Sequence, residues 1–187
     1  MQFSKNWLKE FIDIDLSTQD ICAQLTMAGL EVDGFENINS KITGKDSIIK
    51  LDITPNRGDC FSVLGVAREL AVINNLKLHL PEIPKIRGSF KDSIKIKVCP
   101  EGPSYFGRTL SNISIDAKTQ PLIAERLKLS DQKLIDPVVD ITNYILLELG
   151  QPLHAFDRDT LNGNISVRTA QNKEQITLLD EQKIELD

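Results

Sequence analysis

Histidine and cysteine are scarce in this chain, with two and three copies among 187 residues. An ordinary catalytic zinc site draws on His, Cys and carboxylates at helical or C-x-x-C spacing. Neither H-E-x-x-H nor C-x-x-C occurs. Cys22, Cys60 and Cys99 are odd in number and far apart, which argues against a disulfide framework and fits a reduced compartment. No apolar run reaches the ~18 residues needed to span a bilayer, and the start, MQFSKNWLKEF, has no apolar signal core. No membrane partner is expected, and a cytoplasmic location is the simplest reading. G-x-G-x-x-G and G-x-x-x-x-G-K-[ST] are missing, so no phosphate cradle is evident, and there is no G-x-S-x-G elbow. Internal repeats and low-complexity tracts are also lacking.

What is present suits a folded protein. Hydrophobic residues make up 41% and charged residues 26%, enough for a real core and against wholesale disorder. The length fits one large domain or two small ones. The net charge of -5 is not that of a dedicated polyanion binder. It is unevenly spread. Residues 1–44 hold three Lys against seven Asp and Glu, whereas 85–97 hold Lys85, Arg87, Lys91, Lys95 and Lys97 against Asp92 alone. Such a run is a solvated linker or strand face, or else an RNA-facing surface.

Ser4 is placed to cap a short helix running to Phe11. Ser17 with Asp20 resembles a capping box, Ile21, Leu25 and Ala28 form one stripe, and Gly29 supplies the stop. Residues 30–35 read as a strand, 37–47 as an exposed polar loop, and SIIKLDIT as a half-buried strand with Ile49, Leu51 and Ile53 on one face. Met27 to Gly34 and Ile48 to Thr54 are expected side by side. TPNRGD is a turn. It can be a binding tip, but a structural turn is favoured, with Asp59 capping a third helix. That helix turns Phe61, Val63, Val66, Leu70 and Ile73 inward. Pro81, Pro84 and Gly88 mark a boundary. Strands are then expected at IKIKV and at 105–115, a helix from Thr119 to Leu129, and a helix capped by Asp136 and started by Pro137 that stops at Gly150. QPLHAFDRD is a loop, and 165–169, 175–179 and 183–186 are strands. The fold class is α+β.

Three segments go further: FSKNWLKEFIDID with QLTMAGLEVDG, then LDITPNRGDCFSVLGVARELA, then IDPVVDITNYILLELGQPLHAFD. Together, and in this order, they resemble the β subunit of bacterial phenylalanyl-tRNA synthetase. The third segment is the most specific. The resemblance implies a small helix-rich N-terminal domain at 1–80, a linker at 81–93, and the first part of a mixed α+β editing domain of B3/B4 type at 94–187. In that family a tRNA-binding OB-like domain stands between GLEVDG and DITPNR. Here about ten residues join them, which implies a deletion near Gly44 and Lys45, feasible because an inserted domain enters and leaves at adjacent points. The family's subunit is several times longer, so a trimmed N-terminal piece, inactive alone, is expected.

By its residues, the third segment is a helix carrying Thr142 and Asn143, a sharp stop at Gly150, and a loop stiffened by Pro152 that presents His154 beside Ala155. These groups can line a pocket for an aromatic ring, or His154 can simply satisfy loop carbonyls. The resemblance implies the former: an editing pocket of Thr142, Asn143, Pro152, His154, Ala155 and Leu179 that hydrolyses tyrosine wrongly attached to phenylalanine tRNA. An acidic residue that reads the phenol hydroxyl is implied beyond residue 187. A second site of this kind is needed because shape alone rejects one added hydroxyl poorly. No catalytic residue for aminoacylation, no metal ligand and no cofactor is assigned to this chain. ATP and magnesium are implied for the holoenzyme, with the α subunit, in an α2β2 assembly, and phenylalanine tRNA as partners. The rival readings are a free-standing hydrolase acting on mischarged tRNA and a non-catalytic RNA or protein interaction module.

Overall fold

A computed structural model describes residues 1–114, 116–178 and 181–186, and shows a mixed α+β chain. Contacts divide it into two compact units, 1–84 with 114–155, and 85–113 with 156–187. The two helices at 121–149, which the resemblance gives to the second domain, therefore pack within the first unit.

The first unit is built on an antiparallel sheet in the order β1-β3-β2, with β1 Gln2–Ser4, β2 Glu31–Ser40 and β3 Gly44–Asp52. Phe3 pairs with Ile49 and Glu31 with Asp52. The two segments expected side by side are thus neighbours in one sheet. The polar stretch 37–47 is not a loop, however. Asn37 pairs with Ser47, Asn39 with Lys45 and Ser40 with Gly44, leaving only 41–43 as the turn. The hydroxyl of Ser40 accepts from the backbone amides of Ile42 at 3.0 Å and Thr43 at 2.8 Å, and Gly44 closes the turn with φ +74°. A three-residue hairpin loop ending in a left-handed glycine is a preferred connection.

The core forms between this sheet and the helices. Helix α1, Lys5–Leu8, is capped by Ser4 and buries Trp7 and Leu8. Helix α2, Thr18–Met27, is capped by Ser17 and buries Ile21, Cys22 and Leu25. Helix α3, Val63–Ile73, buries Val63, Val66, Ala67, Leu70 and Ala71. Its cap is Ser62, not Asp59, because Arg57 has taken the Asp59 carboxylate. Phe61 and Ile73 are half-exposed. Phe61 precedes the cap, and Ala67 and Ala71 provide the close-packed face instead.

Helices α4, Pro121–Leu129, and α5, Pro137–Leu149, complete the unit. Thr119 does not cap α4; its hydroxyl binds the buried carboxylate of Asp140, which also accepts from the amide of Ile135. Asp136 caps α5 by accepting from the amides of Val138 and Val139.

The second unit has two small sheets. β4, Ile96–Lys97, runs parallel to β5, Ile165–Ser166, and β6, Glu174–Thr177, pairs antiparallel with β7, Lys183–Leu186. Among the described residues no strand forms at 105–114, and 165–169 contributes only its first two residues to a ladder.

Candidate functional site

Helix α5 positions the residues that the sequence nominates. Its start is fixed twice: Asp136 satisfies two first-turn amides, and Pro137 occupies a position where a missing N–H costs nothing. Its end is Gly150, in the left-handed conformation at φ +75°, with its amide donating to Leu146. That conformation suits glycine, and the site leaves little room besides. A Cβ added there would lie 3.3 Å from the Ser62 hydroxyl at the start of α3.

Between these ends lie Thr142 and Asn143, both half-buried. The Thr142 hydroxyl donates to the Val139 carbonyl at 2.7 Å, so its proton is engaged and its lone pairs are what it offers a ligand. Beyond Gly150, Pro152, His154 and Ala155 lie in exposed coil, with the Gln151 amide donating to the Pro152 carbonyl at 3.2 Å. Thr142 and Asn143 are thus held on one helix, and Pro152, His154 and Ala155 follow it on one exposed loop. Leu179 lies outside the described residues. None of these residues is in the lining of either of two surface clefts. One, of about 400 Å³, is lined by Ala23, Gln24, Met27, Ala28 and Ile73; the other, of about 470 Å³, is in the second unit.

Sequence reasoning missed the group that seats α5. Trp7 stacks on Tyr144 with ring centroids 5.1 Å apart. The guanidinium of Arg126 lies 5.0 Å from the Trp7 ring centroid, donates to the Tyr144 hydroxyl at 2.8 Å and pairs with Glu10. Tyr144 in turn donates to Glu148 at 2.6 Å. Burial first, and the bond to Glu148 second, push the Tyr144 phenol well above its usual range. A charged residue on a helix reads as a surface residue, and no local pattern marks Arg126 as buried.

The TPNRGD turn also resolves. The Arg57 guanidinium reaches Asp59 at 3.1 Å, Glu69 at 2.8 Å and the Cys60 sulfur at 3.0 Å. The hydrogen bond from Arg57 holds the Asp59 carboxyl down at about 2, and burial pushes the Cys60 thiol up to about 11. Asp59, Cys60 and Glu69 have the ligand types of a metal site. Arg57 already supplies the positive charge to all three, and magnesium prefers an all-oxygen octahedron. The cluster is a structural clasp, in line with the reading of this turn as structural.

Comparison with known proteins places these features. Residues 101–187 match the family model of the B3/4 domain. The chain is 49% identical over 144 residues to the phenylalanine–tRNA ligase beta subunit of Idiomarina loihiensis, covering 76% of this chain and 18% of that protein. It is 46% identical to the subunit of Pectobacterium atrosepticum over the same shares, and 43% identical over 152 residues to that of Acinetobacter baylyi, covering 81% of this chain and 19% of the relative. The chain therefore spans about a fifth of the curated relatives it matches. A solved N-terminal fragment of the phenylalanyl-tRNA synthetase beta subunit from Pyrococcus horikoshii is 19% identical, with a TM-score of 0.38, over all of this chain and 50% of that one. At half-identity over three quarters of its length, the chain is similar to about a fifth of the phenylalanine–tRNA ligase β subunit.

Proposed function

We propose that this chain is the N-terminal part of a phenylalanine–tRNA ligase β subunit that works in the cytoplasm, supports attachment of phenylalanine to its tRNA, and contributes part of the site that hydrolyses mischarged tyrosyl-tRNA. The sequence match to the β subunits carries this reading. Residues 1–80 correspond to the N-terminal domain, 81–93 to a linker and 94–187 to part of the editing domain. The family's inserted tRNA-binding domain is absent near Gly44 and Lys45, beside the tight hairpin turn at 41–43. The α subunit, in an α2β2 assembly, and phenylalanine tRNA are the partners. ATP and magnesium serve the synthetic reaction on the α subunit, and the chain alone neither charges tRNA nor hydrolyses ATP.

In the editing site, Thr142, Asn143, Pro152, His154, Ala155 and Leu179 line the pocket. A neutral imidazole can donate from one nitrogen and accept at the other. His154 thereby positions a water or the terminal ribose hydroxyl at the ester carbonyl. The test uses the complete β subunit with its α partner. His154→Ala should slow deacylation of tyrosyl-tRNA by ~10²–10³, the usual cost of losing one transition-state hydrogen bond, while phenylalanine charging stays close to wild type. Unchanged deacylation, or an unfolded domain, would show that His154 is a loop-structuring residue.

A further inference from the structure

The segment 85–113 carries six basic side chains against two acids in a chain of net charge -5. In the second unit, Asp92 and Glu174 are paired with Arg158 and Arg168, and of the unit's acids only Asp92 lines the cleft described below. Among the described residues, none of Lys85, Arg87, Lys91, Lys95 and Lys97 has an ion pair, and all are exposed. Arg108 is exposed too, and donates only to the Ile86 carbonyl at 3.5 Å.

Arg87 and Arg108 line the cleft of about 470 Å³ together with Ile86, Phe90 and Asp92, and Lys85 and Lys91 adjoin lining residues along the chain. The acid there is neutralised internally. Asp92 accepts from Arg158 at 3.1 Å and from the Thr109 hydroxyl at 2.7 Å. The uncompensated charge at the cleft is therefore positive. Aromatic rings stand beside it: Phe90 in the lining is 51% exposed, and Phe106, next to lining residue Gly107, is 94% exposed. A small anion would need several donors converging on one point, whereas these cations are strung along one stretch. A row of cations with open rings suits a polyanion that also carries flat bases. Rings can stack only on bases that are not already paired, so a duplex uses the cations alone.

We infer that the cleft between 86–92 and 107–111, with the basic row at 85–97, binds unpaired RNA, its phosphates on the cations and its bases on Phe90 and Phe106. Its failure leaves the editing reading untouched, since that is measured by deacylation.

The test is fluorescence anisotropy of a labelled single-stranded oligouridylate of about 12 nucleotides, a length within known single-strand site sizes, with the whole chain. Five phosphate contacts predict an affinity loss of ~10²-fold between roughly 50 and 200 mM salt. The combined Arg87→Gln, Lys91→Gln and Arg108→Gln variant should bind more weakly and flatten the salt slope by about two. Phe90→Ala should weaken binding about tenfold at an unchanged slope, and duplex RNA of equal length should bind less well. Circular dichroism establishes that each variant is folded. No binding at the lower salt, or a triple variant with the wild-type slope, overturns the proposal. Equal binding of duplex, or an inert Phe90→Ala, overturns it as well, leaving a patch that attracts any polyanion.

Discussion

Gly65 sits in the first turn of α3 with an ordinary helical backbone, and helix propensity alone predicts that Gly65→Ala stabilises the chain by ~1 kcal/mol. The packing predicts the reverse. A Cβ at Gly65 would stand 2.1 Å from the Asp59 carbonyl oxygen and 3.0 Å from the Cys60 Cα. Both are backbone atoms, so no side-chain rotation relieves the contact. Restoring ordinary van der Waals contact requires α3 and the 55–60 turn to separate by ~1 Å, in an interior that tolerates little. Overpacking of this kind costs ~1–3 kcal/mol. The movement also strains the bond from the Gly65 amide to the Ser62 hydroxyl at 3.0 Å, and losing a cap costs ~1 kcal/mol. After the propensity gain, the net expectation is a loss of ~1–3 kcal/mol. Trp7 is the single tryptophan and is buried in the same unit, so its emission during urea unfolding reports on this unit. With a typical slope of ~1–3 kcal/mol per molar urea, the midpoint should fall by roughly 1 M. A midpoint equal to or above wild type would show that α3 does not depend on glycine for its close approach to the turn.

Three further outcomes are expected. Asp59 is held down at about 2 by Arg57, below its ordinary value near ~3.9. A depressed carboxyl contributes stability above its unfolded value, so that contribution fades as pH falls from ~4 through about 2, and Asp59→Asn should flatten this acid limb of a Trp7-monitored titration. Cys60 is fully buried with its thiol raised to about 11, and Cys22 is buried, whereas Cys99 is half-exposed; mass-mapped alkylation at pH ~8 should label Cys99 first, because the thiolate is the nucleophile. Tyr144→Phe removes the hydroxyl that links Arg126 to Glu148, which should cost ~1–3 kcal/mol with a charged partner left unsatisfied and should alter Trp7 emission; an unchanged midpoint would mean that the stacked rings alone hold α5.

The parts of this fold that were legible were those governed by local chemistry. Ser17 and Asp136 cap the helices they precede, and Pro137 and Gly150 bound α5 as their backbone preferences require. Where two local rules competed, the sequence could not choose. Asp59 and Ser62 both suit a cap, and the choice fell to Ser62 because a guanidinium took the carboxylate, a contact that also reaches Glu69 in α3. The β2–β3 hairpin was hidden for another reason. β2 is an edge strand with mostly exposed, polar residues beyond Gly34, and a ladder made by the backbone leaves no hydrophobic period to detect. Helix α5 was legible as a helix, but its seat was not, since Trp7, Arg126 and Tyr144 meet only in three dimensions.

Ser62 connects these observations to the candidate site. Its hydroxyl caps α3, and the same oxygen lies where a Cβ on Gly150 would approach to 3.3 Å. The start of α3 and the end of α5 therefore share one point of close packing. At its other contacts, α5 is held by the buried Asp140 carboxylate and by Tyr144 on Trp7. Asp140, Tyr144 and Glu148 recur at intervals of four, which places them along one face of the helix. Thr142 falls about half a turn away from that stripe, so the contacts that seat the helix leave it free to face a ligand. The loop bearing Pro152, His154 and Ala155 then departs from a helix end whose rotation and position are set by residues of the N-terminal segment. On the proposed editing reading, the geometry of α5 and its loop depends on residues as remote in sequence as Trp7 and Ser62, and substitutions there should move deacylation through the orientation of α5 and not through any contact with substrate.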